Sequence, residues 1–203
     1  MKLIFSLINK GLDKLDQLKV ADFIGPLALR IYLSPIFILA GYGKLSNLED
    51  TAGWFGEYLG LPAPMFMAVL AGLTEFIGGI SLLVGFAVRA WAIPLLITMV
   101  VAAVTAHWEN GWHALPESKL TVPWEWRTDL IEEAGKRKEA AKSLLKHHGN
   151  YSWLTEAGSI TVLKNGIEFA ATYFIMCLVL LFVGAGRYVS VDYWLGLCFR
   201  VRE

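Results

Sequence analysis

The chain has 203 residues, of which 56% are apolar, and its 18 basic and 18 acidic residues leave a formal charge of zero. This length usually corresponds to one domain, or to one domain with an insertion. The balanced charge gives no reason to expect a nucleic-acid partner, and the mean hydropathy of +0.51 is high for a water-soluble domain. The two cysteines form no C-x-x-C motif, so a thiol–disulfide relay within this chain is not expected.

Residues 1–20 predict an amphipathic helix. Their apolar positions recur at roughly helical spacing, with Lys10, Asp13 and Lys14 on the opposite side. Such a helix lies in the headgroup region of a membrane, with its lysines near anionic lipid. Packing of the same helix against the protein's own surface is an equally good interpretation.

The first predicted span covers residues 23–42. A set of residues along it follows a four, three, four, three spacing and therefore shares one stripe of a helix; these are Arg30, Ser34, Phe37, Gly41 and Lys44. An arginine and a hydroxyl on a single stripe indicate a helix face that points into a bundle. A short helix with interfacial aromatic residues is predicted next, within residues 48–61.

The second predicted span, residues 65–88, carries a single ionisable residue, Glu75, in its middle. A carboxylate at the centre of a bilayer costs about 2.5–3.5 kcal/mol on insertion scales, so it is expected to face a partner or a cavity. Ala68, Gly72 and Gly79 share its helix face. Small residues at this spacing let two helices approach closely, so Glu75 is predicted to lie in a packed seam.

Two further spans complete the predicted fold. The third covers residues 90–108, and the fourth runs from Asn165 or Ile167 to Ala185, with Asn165, Glu168 and Thr172 on one face at its start. We therefore predict an all-α integral membrane protein, an antiparallel bundle of four spans formed by residues 22–108 and 165–186. Residues 109–164 form a polar helical cap and residues 187–203 an interfacial tail. The distribution of lysine and arginine favours termini in the cytoplasm and a cap outside.

Several motifs together resemble the DoxX-like membrane proteins. They are Arg30, GYGKL (41–45), Trp54–Phe55, GLPAP (60–64), Glu75 with Gly78–Gly79, Gly85, Arg89, Met99, His107, Asn165–Gly166 with Glu168, and GAGRYVSVD (184–192). The long 109–164 segment resembles the HvfX subgroup, which is encoded beside small metal-binding peptides. The resemblance implies a multi-pass protein of the bacterial inner membrane, linked to quinone-coupled oxidation, oxidative stress or metal homeostasis. It does not imply one reaction.

Glu75 is the leading candidate for chemistry. Arg30 could reach it and form a structural ion pair that locks the helix seam. The alternative is that Glu75 takes up and releases a proton beside a quinone-like headgroup or a permeating ion. A bound quinone is therefore a possible cofactor, while the sequence contains no motif for a covalent cofactor or a nucleotide.

A second polar group is expected at the outer end of the bundle. Lys44, His107 and Glu168 could share a ligand pocket or relay protons there; anchoring at the interface with a Lys–Glu pair is the alternative. His107 and His113 are weak candidates for metal ligands because their spacing of six suits no common site. We expect them to be solvated and no metal to be bound.

Three functions stay open at this point, and the sequence does not decide whether the protein is an enzyme. The protein could be a membrane component of an oxidoreductase, stress-response or metal-homeostasis system that uses a polar pocket around Glu75. It could be a permease for a small solute or metal. It could also be an accessory protein that docks partners through its cap. Expected partners are the lipid bilayer, other membrane or periplasmic proteins and a second copy of the chain.

Overall fold

The computed structural model describes residues 17–161 and 163–199, so most of the predicted amphipathic helix of residues 1–20 lies outside the described residues. All regular elements of the described chain are helical. The α-helices are α1 (Ile24–Ser46), α2 (Leu48–Glu57), α3 (Pro64–Val84), α4 (Val88–Ala102), α5 (Thr128–His148), α6 (Tyr151–Leu154), α7 (Glu168–Val183) and α8 (Val191–Phe199). A π-helical turn, Ala103–His107, continues α4.

Three helical segments of the described chain are long and apolar enough to cross a membrane: Lys19–Ser46, Pro64–Val84 and Val88–Asn110. They confirm the first three predicted spans. The fourth apolar helix, α7, has 16 residues. At 1.5 Å per residue it extends about 24 Å, which is less than the roughly 30 Å of a hydrocarbon core. The antiparallel arrangement of four spans therefore stays a prediction.

The chain divides into two compact units, one formed by residues 1–98 and 175–203 and the other by residues 99–174. Within the first unit, α1 packs along α3. The buried residues of α1 include Arg30, Ser34, Phe37 and Gly41, which confirms the predicted stripe. A stripe of this kind arises because residues three and four apart lie on the same side of a helix.

Glycines let the backbones of α1 and α3 come together, as their spacing predicted. A Cβ added to Gly41 would lie 2.7 Å from the carbonyl oxygen of Gly72, and one added to Gly79 would lie 2.8 Å from the backbone nitrogen of Ile38. Moving towards the N-terminus along α1 thus corresponds to moving towards the C-terminus along α3. The two helices are antiparallel, with their close contact on either side of Glu75.

In the second unit, the chain entering α7 pairs with a segment that follows the π-helical turn. The backbone N–H groups of Gly166, Ile167 and Glu168 donate to carbonyl oxygens of His113, Gly111 and Trp112 at 2.9–3.0 Å. A Cβ on Gly166 would lie 2.5–2.6 Å from these three oxygens. Only glycine fits there, and the resulting contact fixes the start of α7 against residues 111–114.

Candidate functional site

The central polar feature of the first unit is an ion pair between Lys44 and Glu75. Lys44 Nζ donates to Glu75 Oε2 at 2.5 Å. The Glu75 side chain is 5% exposed and that of Lys44 is 26% exposed. Because Lys44 lies near the end of α1 and Glu75 near the middle of α3, the lysine side chain extends inward to meet the carboxylate. This arrangement lowers the cost of a charge at membrane depth.

The surroundings of this ion pair are closely packed. A Cβ on Gly72, one turn before Glu75 on α3, would lie 2.8 Å from the side chain of Leu45. Two surface depressions occur elsewhere, one of about 380 Å³ over residues 45–50 and one of about 190 Å³ between residues 99–104 and 170–174. Glu75 lines neither. Neither depression provides room for a quinone ring beside Glu75, and no step is assigned to one.

Arg30 does not reach Glu75, so the predicted pairing of these two residues is wrong. The guanidinium of Arg30 donates to backbone carbonyl oxygens of Leu82 at 2.7 Å, Leu83 at 3.0 Å, Ala185 at 2.8 Å and Val189 at 2.9 Å. Two of these carbonyls belong to the last turn of α3, which lacks intrahelical donors and carries the negative end of the helix dipole. Arg30 therefore ties the end of α3 to the 185–189 loop.

Asp192 completes this structural cluster, a role that was not predicted from the sequence. Its carboxylate accepts the N–H groups of Ala87 at 2.6 Å and Val88 at 3.0 Å, which caps the start of α4. Gly85, between the Arg30 guanidinium and the Asp192 carboxylate, has a φ of 72°. A Cβ at this position would lie 2.5 Å from the Arg30 guanidinium. The motif residues Gly85 and Asp192 thus hold the turn between α3 and α4.

Ser34 does not contribute a free polar group to the seam. Its hydroxyl is buried and donates to the carbonyl oxygen of Arg30 at 2.5 Å, one turn earlier in α1. The hydroxyl is therefore satisfied by the backbone of its own helix, an arrangement common for serine within helices.

In the second unit, His107 and Asn165 are in direct contact. Nδ1 of His107 lies 2.9 Å from the carbonyl oxygen of Asn165. Because a carbonyl oxygen can only accept, Nδ1 carries the hydrogen of this bond.

The other two candidates on α7 are satisfied differently. Glu168 Oε2 accepts the N–H of Ala114 at 2.9 Å. Thr172 bonds the Glu168 carbonyl oxygen at 2.8 Å. A pocket shared by Lys44, His107 and Glu168 stays a prediction.

The cap contains a second buried ion pair, which sequence reasoning missed. Lys164 Nζ lies 2.7 Å from Glu125 Oε2, and their side chains are 8% and 0% exposed. Burial alone would raise the pKa of Glu125. Hydrogen bonds from Lys164 and from the N–H groups of Arg127, Trp112 and His113 outweigh burial and lower the pKa from 4.5 to about 2. A single glutamate between two tryptophans gives no periodic signal by which a sequence could reveal this role.

The two histidines considered as metal ligands have separate environments. The prediction that both are solvated is wrong for His113, which is buried, with its Nε2 3.1 Å from the hydroxyl of Thr121. His107 contacts the carbonyl oxygen of Asn165. The residues that the structure describes contain no group of three or more His, Cys, Asp or Glu side chains able to hold a metal ion.

Comparison with known proteins agrees with the membrane assignment. Residues 25–108 are similar to the DoxX family. The chain is 35% identical over 82 residues to "Putative oxidoreductase CatD" of Bacillus subtilis, covering 40% of this chain and 59% of the relative. It is 37% identical over 76 residues to "Inner membrane protein YqjF" of Escherichia coli, covering 37% and 56%.

A third relative, "Uncharacterized membrane protein Rv3486" of Mycobacterium tuberculosis, is 33% identical over 78 residues, covering 38% of this chain and 48% of the relative. The chain thus spans about half to three-fifths of the curated relatives it matches. No solved structure matches the chain. The similarity to DoxX covers residues 25–108, which include the first three predicted spans, and three helical segments of the described chain are able to cross a membrane.

Proposed function

We propose that the protein is a membrane component of an oxidoreductase system and that Lys44 and Glu75 form its proton-exchanging site. The observation that carries this proposal is the ion pair itself: a carboxylate with 5% of its side chain exposed, held at membrane depth by an ammonium group with 26% exposed. The name of the relative from Bacillus subtilis supports a redox context. Perturbed ionisable groups at buried positions are concentrated at functional sites.

The geometry suggests how a proton would move. Lys44 is the more exposed partner and lies near the end of α1, so it can exchange protons with water at the membrane surface. Its hydrogen bond of 2.5 Å to Glu75 allows the proton to shift to the carboxylate, which leaves a neutral amine beside a neutral acid. Neutral groups cost far less than charges in a medium of low dielectric constant, so both forms of the pair are compatible with burial.

Donor-dependent oxygen consumption tests this function. Membranes from cells that express the full chain would be supplied with a panel of reductants, and we expect faster oxygen uptake with at least one of them than in membranes without the chain. Glu75→Gln should abolish the increase. Glu57→Gln, which changes an exposed glutamate at the end of α2, should retain it. An unchanged rate in a fully expressed Glu75→Gln protein would refute the proposal.

An accessory role is the second candidate, favoured by the closed seam and by the exposed apolar residues of the cap. The close contact of Gly41 and Gly72 brings the backbones of α1 and α3 together, which argues against a permease that uses this seam. Leu115, Leu120 and Trp124 are more than half exposed and could contact a partner protein. An accessory protein would give no donor-dependent increase in oxygen uptake, and Glu75→Gln would leave its partners bound.

We further propose that the chain has four spans in the inner membrane, with both termini in the cytoplasm and the cap outside. The apolar character of α7 and the relative named as an inner membrane protein support this topology. With three spans the termini would lie on opposite sides. A C-terminal alkaline phosphatase fusion should therefore be inactive and a C-terminal fluorescent protein fusion bright; the reverse result would refute the fourth span or the orientation.

The same proposal includes membership of the HvfX subgroup and a link to metal homeostasis. The length of the 109–164 segment, which folds with its own buried ion pair, supports the subgroup. Growth of a deletion strain on graded copper and zinc would test the link, and resistance equal to that of the parent strain would argue against it.

A further inference from the structure

Helix α5 is the longest helix of the cap, and its charge is unevenly distributed. Three acidic residues lie within its first six positions. From residue 136 to residue 148, five basic residues accompany one glutamate, which gives a net charge of +4 with both histidines neutral; the basic residues are Lys136, Arg137, Lys138, Lys142 and Lys146. The helix dipole favours acidic residues in the first turn and basic residues in the last turn. It does not account for the cations at 136–142, in the middle of the helix.

Cations border an apolar stripe of α5. Residues four and seven apart lie on one side of a helix that turns by about 100° per residue. The stripe formed in this way consists of Leu130, Ala134, Ala141 and Leu145. Arg137 lies at one edge of the stripe, and Lys138 and Lys142 lie at the other. An apolar stripe with lysine and arginine beside it is typical of helices that lie in the plane of a membrane interface, because the long side chains cover apolar surface while their charges reach the headgroups.

The protein's own packing does not bury α5. None of the described side chains of this helix is buried, and Leu144, next to the stripe, is 63% exposed. Trp153, in the short helix α6 that follows, is 69% exposed. Tryptophan is enriched where a protein meets the boundary between membrane and water. Apolar and basic groups suited to that boundary are therefore present together in α5 and α6.

The cations of α5 are available to an external partner. Arg137 pairs with Glu133, and Lys142 lies 3.3 Å from Glu139. The side chains of both glutamates are more than half exposed. Exposed ion pairs of this kind contribute little to stability, so an anionic surface can compete for the two cations. Lys138 forms no ion pair with any side chain that the structure describes.

The membrane lies close to α5 along the chain. The compact unit that contains α5 also contains the end of the third membrane-capable segment and the start of the apolar helix α7. The connections to α5, residues 111–127 and 149–167, leave these two helices at the same place, because the N–H of Ile167 donates to the carbonyl oxygen of Gly111 at 3.0 Å. A lipid surface is therefore within reach of α5 in every membrane-embedded molecule.

We propose that α5 is an interfacial helix that binds the headgroups of anionic phospholipids. Lys138 and Lys142 contact the phosphates, and Leu144 and Trp153 lie at the boundary with the acyl chains. These apolar groups favour a lipid surface over an acidic protein, since a membrane interface accepts apolar and basic side chains side by side. Binding holds the cap against the membrane surface. The proposal concerns only the second unit and does not depend on the proposed proton exchange.

Hydrogen–deuterium exchange of the full chain in nanodiscs tests the proposal. One disc contains phosphatidylcholine alone, and the other contains two parts of phosphatidylcholine to one part of phosphatidylglycerol. We expect the amides of residues 136–148 to exchange more slowly in the anionic disc. High salt should remove this difference, because it screens interactions between exposed charges. Equal exchange in the two discs would overturn the proposal and favour an acidic protein as the partner; a difference that persists in high salt would overturn it as well.

Matched variants locate the contacts. Lys138→Gln should reduce the slowing in the anionic disc by about fivefold, which is the contribution of one basic residue near an anionic surface. Lys119→Gln removes the same charge from an exposed position of the cap outside α5 and should leave the slowing unchanged. Trp153→Ser should reduce the slowing and retain its salt dependence, because it removes an apolar contact. Equal effects of Lys138→Gln and Lys119→Gln would show an effect of total charge alone and would overturn the proposal.

Discussion

Removing the charge of Lys44 and removing the charge of Glu75 should lower the stability of the protein by unequal amounts. Removing one partner of a fully buried ion pair costs about 3–5 kcal/mol, because the other charge is left uncompensated. Lys44→Met leaves a carboxylate that is 5% exposed, so we expect a loss near the lower end, about 3 kcal/mol. Glu75→Gln leaves an ammonium that is 26% exposed and can turn towards water, so we expect about 1 kcal/mol.

The double variant, Lys44→Met with Glu75→Gln, removes both charges and should lose less stability than Lys44→Met alone. Residues in direct contact couple by about 0.5–3 kcal/mol in a double-mutant cycle. Free energies of unfolding would be measured in mixed micelles of dodecyl maltoside and SDS, with Glu57→Gln as the exposed control. Equal losses for the two single variants, or additive losses in the double variant, would refute this reasoning.

The same variants separate a structural ion pair from a proton-exchanging site. A structural role predicts that the double variant recovers donor-dependent oxygen uptake together with stability. Proton exchange predicts that stability recovers while oxygen uptake does not, because neither Met nor Gln takes up a proton. The comparison uses one membrane preparation and needs no knowledge of the substrate.

Three further predictions concern the cap and the turn between α3 and α4. The pKa of Glu125 falls to about 2 on folding, so its contribution to stability is complete above about pH 5 and is lost as the pH falls towards 2. Glu125→Gln should lower the stability by about 3 kcal/mol at pH 7. It should also flatten the acid dependence of stability in thermal melts followed by circular dichroism. Gly166→Ala should lower stability by about 3 kcal/mol, because the added Cβ meets three backbone oxygens. The control Gly135→Ala has open space around its Cβ in α5, and it should raise stability by about 0.5–1 kcal/mol in the same melts. Asp192→Ala removes the carboxylate that caps α4 and should cost about 1–2 kcal/mol, and a thermal midpoint equal to that of the unmodified protein would contradict the capping role.

Helix faces could be predicted from the sequence because they depend on spacing alone. The positions of Arg30, Phe37 and Gly41 fix one stripe of α1 whatever the helix packs against, and the small residues of α3 fix the face that approaches it. The structure buries both sets. Burial of Glu75 followed in the same way, since it shares the face of Gly72 and Gly79.

The partners across the seam could not be predicted, because they depend on the register between two helices. Small residues recur on α3, so several registers would give close packing. The observed register brings Gly41 to Gly72 and Ile38 to Gly79, and the antiparallel direction then carries Arg30 to the end of α3. Glu75 meets Lys44, nearly four turns from Arg30 along α1. A single known contact between α1 and α3 would have fixed the register and excluded the predicted Arg30–Glu75 pair.

The charged residues of α1 and α3 are neutralised in two chemically different ways, and this difference separates structure from function. Arg30 donates to backbone carbonyl oxygens, which cannot take up a proton at any physiological pH, so its hydrogen bonds are structural. Lys44 donates to a carboxylate, which can. Among the charged residues of α1 and α3, only Lys44 and Glu75 can therefore exchange a proton between their side chains, and this is the exchange that the proposed function uses.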